Sequence, residues 1–334
     1  MLNKFAIVPG HFILATKEFK PQGWLLEEGD LVAGVGCLGV YYSFSSSSSS
    51  SAVSASSASA AVVAGMARGK GREGLRGGEG GVGGGRVGIG GVEEVGGGGN
   101  VVEGGERGEE QEKGEDQEKE KLFIFFNSGV HSGASQPHRH LQLLPVDAMR
   151  EGLEEIAADD SREGDEGKQK WEVAASLLVD DGDSRNSAKG DDKQSRERGI
   201  QLPFRTFAER IHVGMDGAAL RAVYLRLYRQ ACQAMGVGDD EILDEGEARI
   251  SYNLAMTSRV MVLAPRVAEG AELTKDGEVV GKLALNGTVL AGTGLVKTQA
   301  EWDALRQDPD QVARVLRSIG LPAQSGRVSS ETKI

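Results

Sequence analysis

The sequence predicts an α+β fold interrupted by disordered insertions, and three observations carry that reading. Five consecutive apolar residues, Leu122 to Phe126, mark a buried strand. Apolar residues at Leu220, Val223, Leu227, Ala231 and Ala234 recur at spacings of three and four and mark an amphipathic helix, with Gly236 as its stop. Two long stretches have compositions from which no packed core can be built.

In chain order, Phe5-Ala6-Ile7-Val8 and Phe12-Ile13-Leu14-Ala15 are apolar bursts separated by Pro9 and Gly10, read as two strands joined by a tight turn. From Ser43 to Lys121 the chain passes through a serine homopolymer, an Ala/Ser stretch, a glycine-rich run and an acidic run. Gly83, Gly85 and Gly88 match a GxGxxG pattern, but neither a preceding strand nor a following helix supports a dinucleotide site. Leu122 to Phe126 resumes the fold, followed by NSGVHSGASQPHRHLQLLPV. A polar insertion runs from about Asp159 to Arg198, broken by Trp171 to Val179, a short helix or strand. Ser251 to Pro265 returns to strand character, and Glu301 to Ile319 reads as one or two closing helices with Pro309 near their junction. The expected segments are 1–42, a strand pair; 43–121, a disordered insertion; 122–150, the histidine-bearing block; 151–200, mostly disordered; 201–324, a C-terminal region; and 325–334, a tail.

Of 334 residues, 49 are glycine, and removing the polar stretches leaves roughly 200 foldable residues, enough for one core. The net charge of −12 argues against a general nucleic-acid binder, although much of the acidity sits in Glu103 to Glu120 and Asp159 to Asp192, so a local basic pocket for a small polyphosphate is allowed. Cys37 and Cys232 read as free thiols in a reducing compartment, no apolar run is long enough for a membrane span, and the N-terminus is not a signal peptide. A soluble, cytoplasmic protein is expected; the oligomeric state is not specified.

Two of the five histidines fall in HRHLQ, where strand alternation puts His138, His140 and Gln142 on one face and Arg139, Leu141 and Leu143 on the other. Three readings compete for that face: a zinc site, for which further ligands are not evident nearby; a structural histidine pair; and a nucleophile. The preceding loop favours the third. Ser128, Gly129, Ser132, Gly133, Ala134, Ser135 and Gln136 are small or polar, so backbone amides and hydroxyls can approach an anion closely.

NSGVHSGASQPHRHLQLLP resembles the signature of the diadenosine tetraphosphate phosphorylases, also called ATP adenylyltransferases, whose HxHxQ is a variant of the histidine triad. LNKFAIVPGHFILATKEFKPQ is similar to that family's strand pair, SYNLAMTSRVMVLAPR to its C-terminal substrate-contacting segment, and LALNGTVLAGTGLVK with the helix ending at RSIGLP to its closing strand and helix. The resemblance implies a histidine-triad-like antiparallel sheet with flanking helices. It implies that His140 attacks the α-phosphorus of a dinucleoside tetraphosphate, releases ATP and keeps an adenylyl group, which phosphate then removes as ADP, all reversibly. Gln142 would hold the α-phosphate where hydrolytic relatives carry a histidine, and His138 would orient the pocket. Asn127, Gly133, Ala134, Ser135 and Gln136 match positions lining ribose and phosphates; Asn3 and Lys4 match a pair near the substrate; Asn253, Met256, Thr257 and Arg266 match contacts of the last block. Diadenosine polyphosphates, ATP, ADP and phosphate are the implied partners, with Mg²⁺ entering only as companion of the polyphosphate and no metal site of the protein's own. His11, His131 and His212 carry no assignment.

The chain departs from the family in two places. It starts at the LNKF block, so the family's N-terminal portion, with its phosphate-reaching lysine, is expected to be missing and the catalytic domain to be N-terminally incomplete. From Trp24 to Lys121 it carries low-complexity sequence where the family has a helix on the sheet. Two alternatives stay open: a sugar-phosphate uridylyltransferase, which shares HxHxQ, and a catalytically impaired or non-enzymatic nucleotide binder.

Overall fold

The computed structural model describes residues 6–45, 61–62, 120–159, 171–179, 200 and 202–323. Residues 68–119 lie outside the described residues, as do the GxGxxG glycines, Asn3 and Lys4. The strands are β1 (Phe12–Ala15), β2 (Ala61–Val62), β3 (Leu122–Ser128), β4 (His140–Pro145), β5 (Phe207–Arg210), β6 (Ser251–Met256), β7 (Val260–Arg266), β8 (Gly270–Lys275), β9 (Glu278–Ala284) and β10 (Leu295–Val296). The helices are α1 (Glu28–Ser45), α2 (Val146–Asp159), α3 (Gly217–Ala234), α4 (Gln299–Gln307) and α5 (Asp310–Ser318).

Six strands form one antiparallel sheet in the order β1-β4-β3-β6-β7-β5, with β8–β9 as a separate hairpin and a short β2–β10 pair. Both faces of the sheet are covered, which explains why Leu122 to Phe126 is apolar throughout rather than alternating. Leu122, Ile124 and Phe126, with Leu141, Leu143, Leu254, Met256 and Leu263, pack beneath Leu31, Val35 and Leu38 of α1 and Leu220, Tyr224 and Leu227 of α3. Phe123, Phe125, Leu144, Ala255, Val262 and Ala264 face the other way, onto Leu273 and Leu283 of the hairpin, the 3-10 turn Gly287–Ala291, and α4 and α5.

α3 begins at Asp216, whose carboxylate accepts from Ala219 N at 2.9 Å, and ends before Gly236 at φ 82°, as its spacing predicts. α4 opens with a capping box between Thr298 and Glu301, and Pro309 separates it from α5. Trp171 to Val179 holds a 3-10 turn, Ala174–Leu177, against the second core layer.

Three expectations are corrected. Ile7 to Gly10 form a turn rather than a strand, and β1 pairs with β4 (Phe12 opposite Leu143, Ala15 opposite His140) instead of with the residues before it. α2 crosses the boundary set at residue 150 and runs to Asp159. Most consequentially, a helix does pack on the sheet after Trp24: α1, within the stretch read as low-complexity. Its glycines hide it, since each costs a helix about 1 kcal/mol relative to alanine. Gly34 shows what they do: a Cβ there would lie 3.1 Å from Met256 Cε and 3.2 Å from Leu141 Cδ1, so a small residue lets the helix approach the strands.

Glu120, the end of the acidic run, is buried rather than solvated. Its carboxylate accepts from Tyr42 Oη (2.6 Å), Ser258 N (3.1 Å), Ser258 Oγ (3.0 Å), Ser176 Oγ (3.2 Å) and Arg259 Nε (3.1 Å), joining α1, the approach to β3, the 3-10 turn and the β6–β7 turn. Burial alone would raise its pKa, but the hydrogen bonds from Tyr42, Ser258, Thr257 and Arg259 together outweigh it and hold the pKa below the usual value. The stabilisation is therefore present above the unfolded carboxylate pKa and is lost as pH falls through the lower folded value. Glu120→Ala leaves several half-buried donors without their acceptor and is expected to cost about 2–4 kcal/mol by denaturant titration at pH 7. The difference from wild type should shrink under acid conditions; a constant difference down to low pH would contradict the role given to the carboxylate.

Candidate active site

β4 presents its residues as alternation requires. Leu141 and Leu143 enter the α1–α3 layer, and Arg139, just ahead of the strand and 2% exposed, donates Nη1 hydrogen bonds to Glu27 (3.0 Å) and Asp30 (2.9 Å) at the start of α1. His140 and Gln142 therefore share the opposite face with Leu144.

The ring of His140 is held by its own chain. Its Nδ1 lies 2.8 Å from the His138 carbonyl, and since a carbonyl only accepts, Nδ1 carries a proton, so that in the neutral ring the lone pair is on Nε2. Nε2 has no protein partner among the described residues. The backbone is fixed as firmly: Gln22, 4% exposed, accepts from His140 N through Oε1 (2.8 Å) and donates Nε2 to the carbonyls of Asn127 (2.8 Å) and His140 (3.4 Å). Gln22 thus ties the ends of β3 and β4 together beside the His140 ring. Sequence reasoning misses it, because a glutamine after a turn carries no chemical signature.

His138 turns aside. Its Nε2 lies 2.9 Å from Thr16 Oγ1 and 3.2 Å from the Glu18 carbonyl, and its ring meets Phe19 at a centroid distance of 5.5 Å. Its action on His140 passes through its backbone carbonyl.

His11, unassigned from sequence, is buried beside this face, one residue ahead of β1, where it hydrogen-bonds Gln142 and senses the charge of His140. Burial lowers its pKa, the Gln142 bond opposes this, and the proximity of His140 lowers it further, so the neutral ring is favoured. Its Nδ1 accepts from Ile7 N at 3.3 Å. The signal that could have found it is the β1–β4 pairing, which sequence alone does not give.

Asn127, at the end of β3, sits opposite Asn253 of β6 in the sheet register and close to His140 through Gln22. Asn253 Nδ2 donates to Asn127 Oδ1 and to the Ser132 carbonyl, both at 2.8 Å, and Gly287 N donates to Asn127 Oδ1 at 2.8 Å. The Ser128 to Gln136 loop is pinned by these bonds and by Ser132 Oγ on the Gly129 carbonyl (2.6 Å). Gly133 is required there: its φ is 75° and a Cβ would lie 2.8 Å from Asn286 Cβ. Ala134, Ser135 and Gln136 follow, exposed, and among the described residues the amides of Ser135 and Gln136 donate no hydrogen bond.

The remaining sequence-derived residues divide. Arg266 is 1% exposed and its guanidinium is spent on protein acceptors: Asn253 Oδ1 and the carbonyls of Ala268 (3.0 Å), Glu269 (3.0 Å), Leu285 (2.9 Å) and Ile319 (3.2 Å). Burial pulls its pKa down to about 10, so it remains a cation at neutral pH. Met256 and Thr257 are not brought to His140. Met256 points to the α1 layer, and Thr257 lies about 13 Å along β6 from Asn253, at the opposite end, where its Oγ1 meets Ser176 (3.5 Å) and Arg259 N (3.3 Å). Period-two alternation puts Asn253 and Met256 on opposite faces of the sheet, so the two cannot contact one ligand.

Two family models match this chain in sequence order. The Ap4A phosphorylase N-terminal domain matches residues 1–57 and 117–157, and the ATP adenylyltransferase C-terminal domain matches residues 200–322. The chain belongs to the Ap4A phosphorylase family. The break in the N-terminal match falls largely on the glycine-rich and acidic runs. Diadenosine 5′,5′′′-P1,P4-tetraphosphate phosphorylase 2 of Saccharomyces cerevisiae is 24% identical over 212 residues, 64% of this chain; the chain spans 56% of that relative's length. The fold is similar to the crystal structure of yeast Ap4A phosphorylase Apa2, with a TM-score of 0.50 and 18% identity over 99% of this chain and 74% of that one. No helix among the described residues is long and apolar enough to cross a membrane.

Proposed function

We propose that this chain is a nucleotidyltransferase of histidine-triad-like fold that cleaves diadenosine tetraphosphate with phosphate, reversibly, through an adenylyl group on His140. The observation that carries the reading is the His138 carbonyl on His140 Nδ1, which makes Nε2 the lone-pair donor of the neutral ring. Family membership supports the substrate class.

In the first step Nε2 attacks the α-phosphorus, a P–N bond forms, the bridging P–O bond breaks and ATP leaves. The His138 carbonyl stabilises the cationic ring that results, as an acceptor already in place. In the second step a phosphate oxygen attacks the same phosphorus, the P–N bond breaks, and ADP leaves with neutral His140 restored. Gln142, held by His11, supplies an amide that hydrogen-bonds the phosphate but has no proton to move near neutral pH, which suits transfer to phosphate rather than to water. The Ser135 and Gln136 amides are donors for the polyphosphate. ATP, ADP and phosphate are the partners, any Mg²⁺ arrives on the polyphosphate, and the cytoplasm is the compartment that fits this chemistry.

The test is product stoichiometry. With diadenosine tetraphosphate and phosphate, ADP and ATP are expected in equal amounts, and without phosphate turnover should stop after at most one equivalent of ATP. Phosphate-independent release of AMP would overturn the transferase reading.

A further inference from the structure

The bonds from Arg266 to Asn127 have a direction that the side chains cannot reverse. A guanidinium only donates, so the atom of Asn253 that meets Arg266 Nη1 is Oδ1. That turns Asn253 Nδ2 towards β3, where it donates to Asn127 Oδ1 and the Ser132 carbonyl. Asn127 Oδ1 also receives Gly287 N, so its orientation is fixed twice over. What remains of Asn127 is Nδ2, which has no partner among the described residues and is not among the enclosed, unsatisfied atoms.

We propose that Arg266 and Asn253 are positioning residues, not substrate contacts: together they force Asn127 to present its Nδ2 donor to a non-bridging phosphate oxygen of the nucleotide at His140. This rests on the nucleotidyl-transfer reading of the site. One observation excludes a direct role for Arg266: all three guanidinium nitrogens are engaged, by five protein acceptors between them. The fixed polarity matters because an amide free to turn would offer its oxygen to the phosphate half the time, and oxygen facing oxygen repels. Holding the donor outward before substrate arrives removes that reorganisation from the reaction.

Asn253→Asp tests the relay while keeping the Arg266 partner. The second carboxylate oxygen then faces Asn127 Oδ1 while Gly287 N still donates to that oxygen, so neither orientation of the Asn127 amide satisfies both neighbours and its outward donor is no longer held in place. Binding of AMP, measured by calorimetry, is expected to weaken roughly 10- to 100-fold in Asn253→Asp and in Asn127→Ala, the range for a hydrogen bond to a charged group. In the double variant the Asn253→Asp change should add less than about threefold to the loss caused by Asn127→Ala, because it acts only through that amide. A full additional loss in the Asn127→Ala background, or unchanged AMP affinity in either single variant, overturns the proposal. Should Asn253→Asp fail to fold by circular dichroism, Asn253→Ala takes its place in the same cycle: it removes one of the two donors that fix Asn127 Oδ1, so a smaller loss of AMP affinity is expected, again absent in the Asn127→Ala background. A wild-type chain that binds AMP but forms no adenylate overturns the covalent step alone and leaves the relay judged by binding; a chain that binds no AMP overturns both.

Discussion

Replacing His140 by alanine is expected to lower the rate of ADP and ATP formation by roughly 10⁴- to 10⁶-fold, the range seen when a covalent nucleophile is removed and only binding and electrostatics remain. The fold should survive. Both bonds that Gln22 makes to residue 140 use its backbone N and O, so they persist without the imidazole. His138→Ala provides the contrast. It removes a ring that contacts Thr16 and Phe19 but keeps the carbonyl that orients His140. Its loss of rate should be smaller by orders of magnitude, measured under the same saturating substrate. Equal losses for the two variants would mean that the ring of His138 takes part in chemistry and that the geometry has been misread.

The second large effect is on stability. Arg266→Met keeps the apolar stem of the side chain but leaves two buried carbonyls, two half-buried ones and Asn253 Oδ1 without their common donor. Those acceptors come from the β7–β8 connection, the end of β9 and the end of α5, so the guanidinium clamps the C-terminal layer to the sheet. Breaking such a buried charged group from its partners costs about 3–5 kcal/mol, which for a domain of this size lowers Tm by roughly 6–20 °C. Thermal unfolding followed by far-ultraviolet circular dichroism checks this, and a shift under about 2 °C would contradict the clamp. Lysine cannot rescue it, because one ammonium cannot span five acceptors placed around a plane.

What can be read from sequence follows the physics of each signal. The shared face of His140 and Gln142 is legible because alternation along a strand has one geometric meaning, but His138, expected on the same face, lies ahead of β4 and turns to Thr16. α3 and the Pro309 break are legible because a 3.6 period and a proline act locally. α1 is not, since Gly29, Gly34, Gly36 and Gly39 lower helix propensity while Gly34 answers a packing demand from Met256 and Leu141 far away in sequence. Glu120 reads as part of a solvated acidic tail for the same reason: its partners at residues 42, 176 and 258 are brought in by the fold. His11 and Gln22 reach the site only once β1 is paired to β4. Arg266 stands out in the sequence as a cation, but its task does not, because a sequence cannot show how many carbonyls surround it.

The most direct test of the nucleophile is to map the adenylyl group. The full chain is mixed briefly with diadenosine tetraphosphate labelled at the α-phosphates in the absence of phosphate, quenched in alkali, digested and sequenced by mass spectrometry. Label is expected on the imidazole of His140, in at most one equivalent, lost on acid treatment and discharged to labelled ADP when phosphate is added before the quench. Label on His138 or His11, or phosphate-dependent ADP formation at the full rate with no labelled histidine at all, would contradict it.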